Sequence, residues 1–445
     1  MIKELPDDNG QSVTQKFEKA KLAQLPWARR PFEERRDCVK QFRALAEKNA
    51  STLSETLTVE VGKPITQSQN ELKDLLSRVD FFLEHTPRVL SDDTVWRDPV
   101  EKWEERISQE PLGVVGNISA WNFPFLVSAN IAVPALLTGN AVLYKPSEFA
   151  SLTGLAIADL WHEAGVPKDV FTPVLGGGNI GGELLKQPLN GIYFTGSYST
   201  GQKIAQAAST SLMRVQLELG GKNPIYVTDD VDAAAVAPEI AAGAFYNNGQ
   251  SCCSVGRLYV HELVYERFVD AFIEAVKGFV LGDPLDARTF LGPLARSSQL
   301  SVIEKQIGDA RSKGAKIRCG GKRVAGKGFF FEPTVLVDVN HTMELMREES
   351  FGPVIGIQKV ASDEEAIALM MDTAYGLSAG VFARSKTRAE PILRNLNSGS
   401  VYWNCCNRIV PRLPWTGRGR SGNGVRLSTY GIQSFLQTKA WHLNG

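Results

Sequence analysis

The sequence predicts an α/β protein built as two lobes. Short apolar, β-rich runs alternate with helical ones from Pro111 onward, and the alternation starts afresh near Asn223. Such alternation implies mainly parallel sheets, because parallel strands need a crossover and a helix usually supplies it. The 445 residues suffice for about two or three domains, each burying its own core.

Taken in order, residues 12–90 read mostly as helix. Phe17, Ala20, Leu22 and Leu25, then Val39, Phe42, Leu45 and Ala46, recur at three-and-four spacing among charged residues. Trp96–Ile107 turns strand-like. Gly113–Ile118, Ala141–Lys145 and Gly191–Phe194 are apolar strand candidates, and Leu152–Ala164 and Thr200–Ser209 carry a helical pattern. In the second lobe helices are expected at 231–247, 264–279 and 299–314, with strands near 330–338 and 354–360. No internal repeat or low-complexity linker separates the lobes.

Composition removes several classes of function. Apolar residues are 43% and charged residues 22%, the balance of an ordinary globular chain. Lys+Arg and Asp+Glu are 49 each, so no global attraction to nucleic acid is expected. Val127–Tyr144 is an uncharged run, yet Ser128, Asn130, Pro134 and Asn140 make it a poor membrane span. The opening residues, MIKELPDDNGQ, hold no apolar signal core. Six cysteines form no C-x-x-C pattern and five histidines are scattered, which argues against a zinc site or a disulfide framework. A cytoplasmic protein without metal is the expectation.

Several residues stand where chemistry is possible. Gly176-Gly177-Gly178-Asn179-Ile180-Gly181 has the form G-x-G-x-x-G, but lacks a useful acidic residue about twenty positions on and reads equally as a tight turn. Gly196 and Ser197 end a β-run before a helical segment, where free N–H groups favour an anion; a plain cap by Ser197 or Ser199 fits as well. Lys145, Ser147 and Glu148 follow the end of an apolar strand, the side of an α/β sheet where ligands bind, although solvated charges at a strand edge are commoner. Cys252 and Cys253 follow a helical run, where backbone N–H groups can favour a thiolate; most cysteines are simply small core residues. Glu218 is an acid in an apolar run, suited to a raised pKa and to service as a base, or to a strand-end hydrogen bond. Asn122, in Trp121-Asn122-Phe123-Pro124, offers an amide donor for an oxyanion or for a turn.

Together these segments resemble the NAD(P)-dependent aldehyde dehydrogenase superfamily from about residue 12 to 440. The motifs are PLGVVGNISAWNFPF at 111–125, YKPSE at 144–148, FTGS at 194–197, LELGGKNP at 217–224, NGQSCC at 248–253 and EESFGPV at 348–354, in the family's order. The resemblance implies a Rossmann-type cofactor lobe (1–92 and 112–220), an α/β catalytic lobe (221–425) and a small β oligomerisation arm (93–111 and 426–445). It implies Cys252 as nucleophile, Asn122 as oxyanion donor and Glu218 as the base that hydrolyses the thioester. It implies NAD, with NADP possible, held by Trp121, Lys145, Ser147, Glu148, Gly196, Ser197, Glu349 and Phe351. A substrate tunnel would be lined by Phe123, Asn130, Tyr246, Ser251, Cys253, Ile409 and Trp415, a mixed lining that suits a medium-sized neutral aldehyde.

Two departures qualify this. Hydrolytic members carry a Lys and a Glu thought to relay protons from the base, and Ile131 and Arg426 stand at those positions here. A CoA-acylating enzyme, a catalytically silent relative and a cysteine hydrolase are therefore the rivals. Glu218 opposes the first, the joint presence of Asn122, Glu218, Cys252 and Glu349 the second, and the lack of a His near any motif the third. A homodimer through the arm is expected, with a tetramer open.

Overall fold

The computed structural model describes residues 3–100 and 102–444. The chain opens with helices α1 (Gly10–Arg29), α2 (Phe32–Lys48), α3 (Ala50–Val61) and α4 (Ile65–Leu90). Asn9 starts α1 by accepting from the Ser12 N–H, and the Ser12 hydroxyl accepts in return from the Asn9 N–H. Strands β1 (Asp93–Arg97) and β2 (Trp103–Pro111) then form an antiparallel pair, so the strand-like stretch at 96–107 is broken by a turn.

The first lobe continues with β3 (Val114–Ile118), α5 (Pro124–Leu137), β4 (Ala141–Lys145), α6 (Ser151–Glu163) and β5 (Phe171–Pro173). It closes with α7 (Gly178–Leu185), β6 (Gly191–Thr195), α8 (Tyr198–Ala208) and β7 (Arg214–Glu218). The uncharged run at 127–144 becomes most of α5 and β4. It is apolar all round because α5 is wedged among α2, α4, α6 and the sheet, leaving nearly every residue buried. No helix among the described residues is long and apolar enough to cross a membrane.

The second lobe comprises β8 (Asn223–Val227), α9 (Ala233–Phe245), β9 (Val255–His261), α10 (Tyr265–Lys277), α11 (Ser297–Ser312), β10 (Lys316–Cys319) and β11 (Thr334–Val337). After these come α12 (Glu344–Arg347), β12 (Val354–Val360), α13 (Asp363–Met371), β13 (Ser378–Phe382), α14 (Lys386–Arg394) and β14 (Ser400–Trp403). The chain finishes with β15 (Gly422–Asn423), α15 (Ser428–Gln433) and β16 (Leu436–Asn444).

Among the described residues the strands form three sheets. The first lobe's runs β15-β7-β6-β3-β4-β5, parallel except for β15; the second's runs β10-β11-β12-β9-β8-β13-β14, parallel except for β10. The third is an antiparallel β1-β2-β16 arm, in which β16 pairs with β2 from Leu436↔Pro111 to Asn444↔Trp103.

The tail is distributed differently from the boundaries expected at 425 and 426. Gly422 pairs with Glu218, so β15 belongs to the first lobe's sheet and covers the otherwise open edge of β7. Helix α15 packs on α4 and α5, and only β16 joins the arm.

Candidate active site

The two lobes meet over a cavity of about 1160 Å³. On the first lobe it lies beyond the carboxyl ends of β3, β4, β6 and β7, the crevice where parallel sheets leave helix N-termini and loop backbone free to bind. The loop after β3 carries Trp121, Asn122 and Phe123. The loop after β4 carries Ser147 and Glu148, with Lys145 at the strand's end. Gly196 and Ser197 follow β6, and Glu218 ends β7.

Asn122 is fixed from below by a buried ion pair. Lys63 Nζ donates to Glu71 Oε2 at 2.6 Å and to the Asn122 carbonyl at 3.0 Å, and lies 3.5 Å from the centre of the Phe123 ring. Glu71 Oε1 accepts from the Phe125 and Leu126 N–H groups, so the same carboxylate caps α5. Both charges are fully buried, which is tolerable because each is paired and hydrogen-bonded. The Asn122 amide donates to the Gln250 carbonyl at 3.0 Å, tying the β3 loop to the cysteine loop.

The cysteine loop is shaped by a run of left-handed backbone. Asn247, Asn248 and Gly249 have φ of 53°, 56° and 67°, conformations that Asn and Gly adopt at low cost. They end the helical path of α9 and turn Ser251, Cys252 and Cys253 into the cavity. A Cβ on Gly249 would lie 2.4 Å from the Gly352 carbonyl oxygen, so only glycine fits. Asn223 Nδ2 clamps the loop by donating to the Cys252 and Ser254 carbonyls, both at 2.8 Å.

The two thiols perturb each other. The neighbouring Cys253, then burial, pushes the Cys252 thiol up, while Cys252 and a hydrogen bond with Ser251 hold Cys253 down against the effect of burial. Both line the cavity, and Cys252, half-buried where Cys253 is buried, is the more accessible of the two.

Glu218 is 3% exposed, and burial pushes it up to about 8. The Arg426 guanidinium and a hydrogen bond with Trp415 work against that rise. Among the described residues Glu218 Oε1 has no hydrogen-bond partner, so one oxygen of the acid is bare. Trp415 and Arg426 are paired backbone to backbone at 2.7 and 2.8 Å, which delivers both side chains to Glu218. Arg426 itself is held by Gln216 Oε1 at 3.0 Å, by the Phe194 carbonyl at 2.9 Å and by Thr195 Oγ1. Glu349 is half-buried, and desolvation raises it to about 7, with its Oε1 accepting from the Gly221 N–H at 3.1 Å.

On the cofactor side Lys145 Nζ donates to the Pro146 carbonyl and lies 3.9 Å from Glu148, whose carboxylate is half exposed to the cavity mouth. Ser197 caps α8. Trp121 meets Phe351 edge to face at 5.6 Å, and the Arg296 guanidinium lies 5.6 Å from the Trp121 ring. These groups fit a dinucleotide. A Cβ on Gly178 or Gly182 would meet nothing within 4 Å, so the first turn of α7 opens its backbone directly on the cavity.

The cavity lining contains every site residue expected from the sequence, with Asn130, Tyr246 and Ile409 on the side away from Lys145 and α8. Ile131 is buried and outside it; Arg408 lines the mouth and Arg412 does not. Sequence reading missed Arg78, Arg296, Lys203 and the glycines of α7. Only the α7 glycines had a signal, the G-x-G-x-x-G form; isolated cations on helices have none. Among the described residues no cluster of three or more His, Cys, Asp or Glu is placed to hold a metal ion.

Comparison with known proteins agrees with this geometry. The model of the aldehyde dehydrogenase family matches residues 1–441. A peroxisomal aminoaldehyde dehydrogenase 2 of Malus domestica is 37% identical over 421 residues, 93% of this chain and 83% of that protein. The crystal structure of an NADP-dependent enzyme of E. coli superposes with a TM-score of 0.96 at 32% identity, covering 100% of this chain and 92% of the other. A point mutant of betaine aldehyde dehydrogenase from Staphylococcus aureus, in complex with NAD+, superposes at 0.95 and 29% identity, covering 100% and 92%. The chain belongs to the aldehyde dehydrogenase family, NAD(P)-dependent enzymes that oxidise aldehydes to carboxylic acids.

Proposed function

We propose that Cys252 is the nucleophile, Asn122 the oxyanion donor and Glu218 the hydrolytic base of this enzyme. The observation that carries the assignment is their convergence on one cavity from three separate segments. The Cys252 thiolate adds to the aldehyde carbon, forming a C–S bond and an oxyanion. The Asn122 amide and the Cys252 backbone N–H stabilise that oxyanion. NAD(P), where bound, would supply the hydride acceptor, and Cys252 would then hold the oxidised acyl group as a thioester. Glu218 then takes a proton from water, which attacks the thioester and releases the acid and the thiolate.

Lys145, Ser147 and Glu148 would hold the adenosine ribose, Gly196 and Ser197 the pyrophosphate, and Glu349, Phe351 and Trp121 the nicotinamide end. A carboxylate at 148 accepts from two ribose hydroxyls and repels a 2′-phosphate, which favours NAD over NADP. Stopped-flow NADH formation tests the reading. Wild type should turn over, and Glu218→Gln should give one burst and stall. Acceleration by CoA would reassign the acyl acceptor. A Cys252→Ala enzyme that still forms NADH would overturn the nucleophile.

The arm supports a homodimer. Its outer strands β1 and β16 and the outer strand β14 of the second lobe leave ladder groups open to a second copy, with Trp96 48% exposed on the arm. Light scattering on an arm-deleted chain decides this, monomer being the expected result. We read the protein as cytoplasmic, testable by fractionation of the source cells.

A further inference from the structure

We infer that Arg78 forms a carboxylate-binding subsite in the aldehyde end of the cavity, so that the substrate is an aldehyde bearing a distal carboxylate. This rests on the proposed function of the same cavity. Arg78 is on α4, is 5% exposed and lines the cavity that holds Cys252. Among the described residues its one hydrogen bond runs from Nη1 to Asn130 Oδ1 at 2.9 Å. Among the described residues it has no carboxylate within 4.0 Å.

A guanidinium carries five donors in a rigid fork. One donor is used here, and no nitrogen of Arg78 is among the sealed, unpartnered polar atoms of the interior, so the rest of the fork faces the cavity. A buried cation without a counter-ion is costly, and a bound anion removes that cost.

The other charges nearby do not substitute for one. Glu71 is consumed by Lys63 and the α5 N-terminus. Asp74, one turn before Arg78 on α4, acts on its charge from a distance but is exposed and makes no ion pair with it among the described residues, and Glu239 and Arg408 are exposed as well. Arg78 is thus, among the described residues, a buried cation of the aldehyde side held in no ion pair. A carboxylate matches the planar fork with two parallel hydrogen bonds. Asn130, which the sequence marks as lining without a charge, orients that fork.

The test compares kcat/KM for 4-oxobutanoate, 5-oxopentanoate and 6-oxohexanoate with butanal, pentanal and hexanal, using NAD. Wild type should prefer one of the oxoacids over its matched alkanal. In Arg78→Met the oxoacid-to-alkanal ratio should fall by about 30-fold or more, mainly through KM, the size expected when one partner of a buried charge pair is lost. Arg78→Lys should retain part of the preference. A purely structural role would lower both substrates together and leave the ratio in place.

Equal activity on both series in wild type overturns the subsite while leaving the oxidation intact, and this arm needs no variant to fold. An unchanged ratio in Arg78→Met overturns it as well. No NADH from any aldehyde would instead overturn the proposed function.

Discussion

Replacing Arg426 with Met should move the pH dependence of deacylation upward. Glu218 titrates near 8 with Arg426 beside it, because burial raises it and the guanidinium opposes the rise. A nearby opposite charge typically lowers a carboxyl pKa by about 1–3 units. At pH 8 about half of Glu218 is ionised in the wild type, and about a tenth or less would be after the cation is lost. Only the carboxylate accepts a proton from water, so deacylation at pH 8 should slow by about fivefold or more. The midpoint of its pH profile should rise by at least about one unit.

Stopped-flow NADH formation between pH 6 and 10 separates the steps, the burst reporting thioester formation and the slow phase its hydrolysis. Truncation also strips partners from Gln216, Phe194 and Thr195, each bare acceptor costing about 1–3 kcal/mol. Arg426→Lys keeps the charge and should keep the midpoint near the wild-type value. A Met variant with a full burst and an unmoved slow-phase midpoint would refute the electrostatic account of Arg426.

Four further outcomes are expected. Cys253→Ala removes the largest influence raising the Cys252 thiol, so alkylation of Cys252 by iodoacetamide should begin at lower pH than in wild type; an unchanged profile would uncouple the pair. Glu218 is raised from 4.5 to about 8 on folding, so the fold gains least from it above pH 8 and its destabilising effect fades as pH falls towards 4.5; Glu218→Gln should therefore raise Tm at pH 9 and change it little at pH 5, by calorimetry. Glu148→Ser should lower the KM for NADP relative to NAD by about tenfold, read from steady-state kinetics, if the carboxylate repels a 2′-phosphate. Gly249→Ala places a Cβ 2.4 Å from the Gly352 carbonyl at φ 67°, and should cost about 2–4 kcal/mol or misplace the cysteine loop, checked by urea unfolding and burst amplitude.

Much of the site was legible because its chemistry is held in short contiguous segments. Asn122 sits in Trp121-Asn122-Phe123-Pro124, Cys252 in Asn248-Gly249-Gln250-Ser251-Cys252-Cys253 and Glu218 in Leu217-Glu218-Leu219-Gly220-Gly221, short motifs whose likeness to a known family marks them. The strands at 114–118, 141–145 and 191–195 were visible because they are buried on both faces and read as apolar runs. The tail was harder. Strand β15 is two residues long and has no period of its own; it exists because the edge of β7 is there to pair with it.

The strand-helix alternation of the first lobe followed from the sequence by itself, since local backbone preference and apolar periodicity act over a few neighbours, while the candidate reactive groups came from the likeness of short motifs to a known family. What only the tertiary structure decided is how charges far apart in the chain share one low-dielectric space. Arg426 beside Glu218, Lys63 under Asn122 and Arg78 against Asn130 come together across separations of many tens to hundreds of residues. Electrostatic strength depends on distance and burial, neither of which a linear pattern contains. Arg426, which the sequence marks only as standing where hydrolytic relatives carry a relay carboxylate, becomes, once enclosed, a charge that bears on a neighbour's proton affinity.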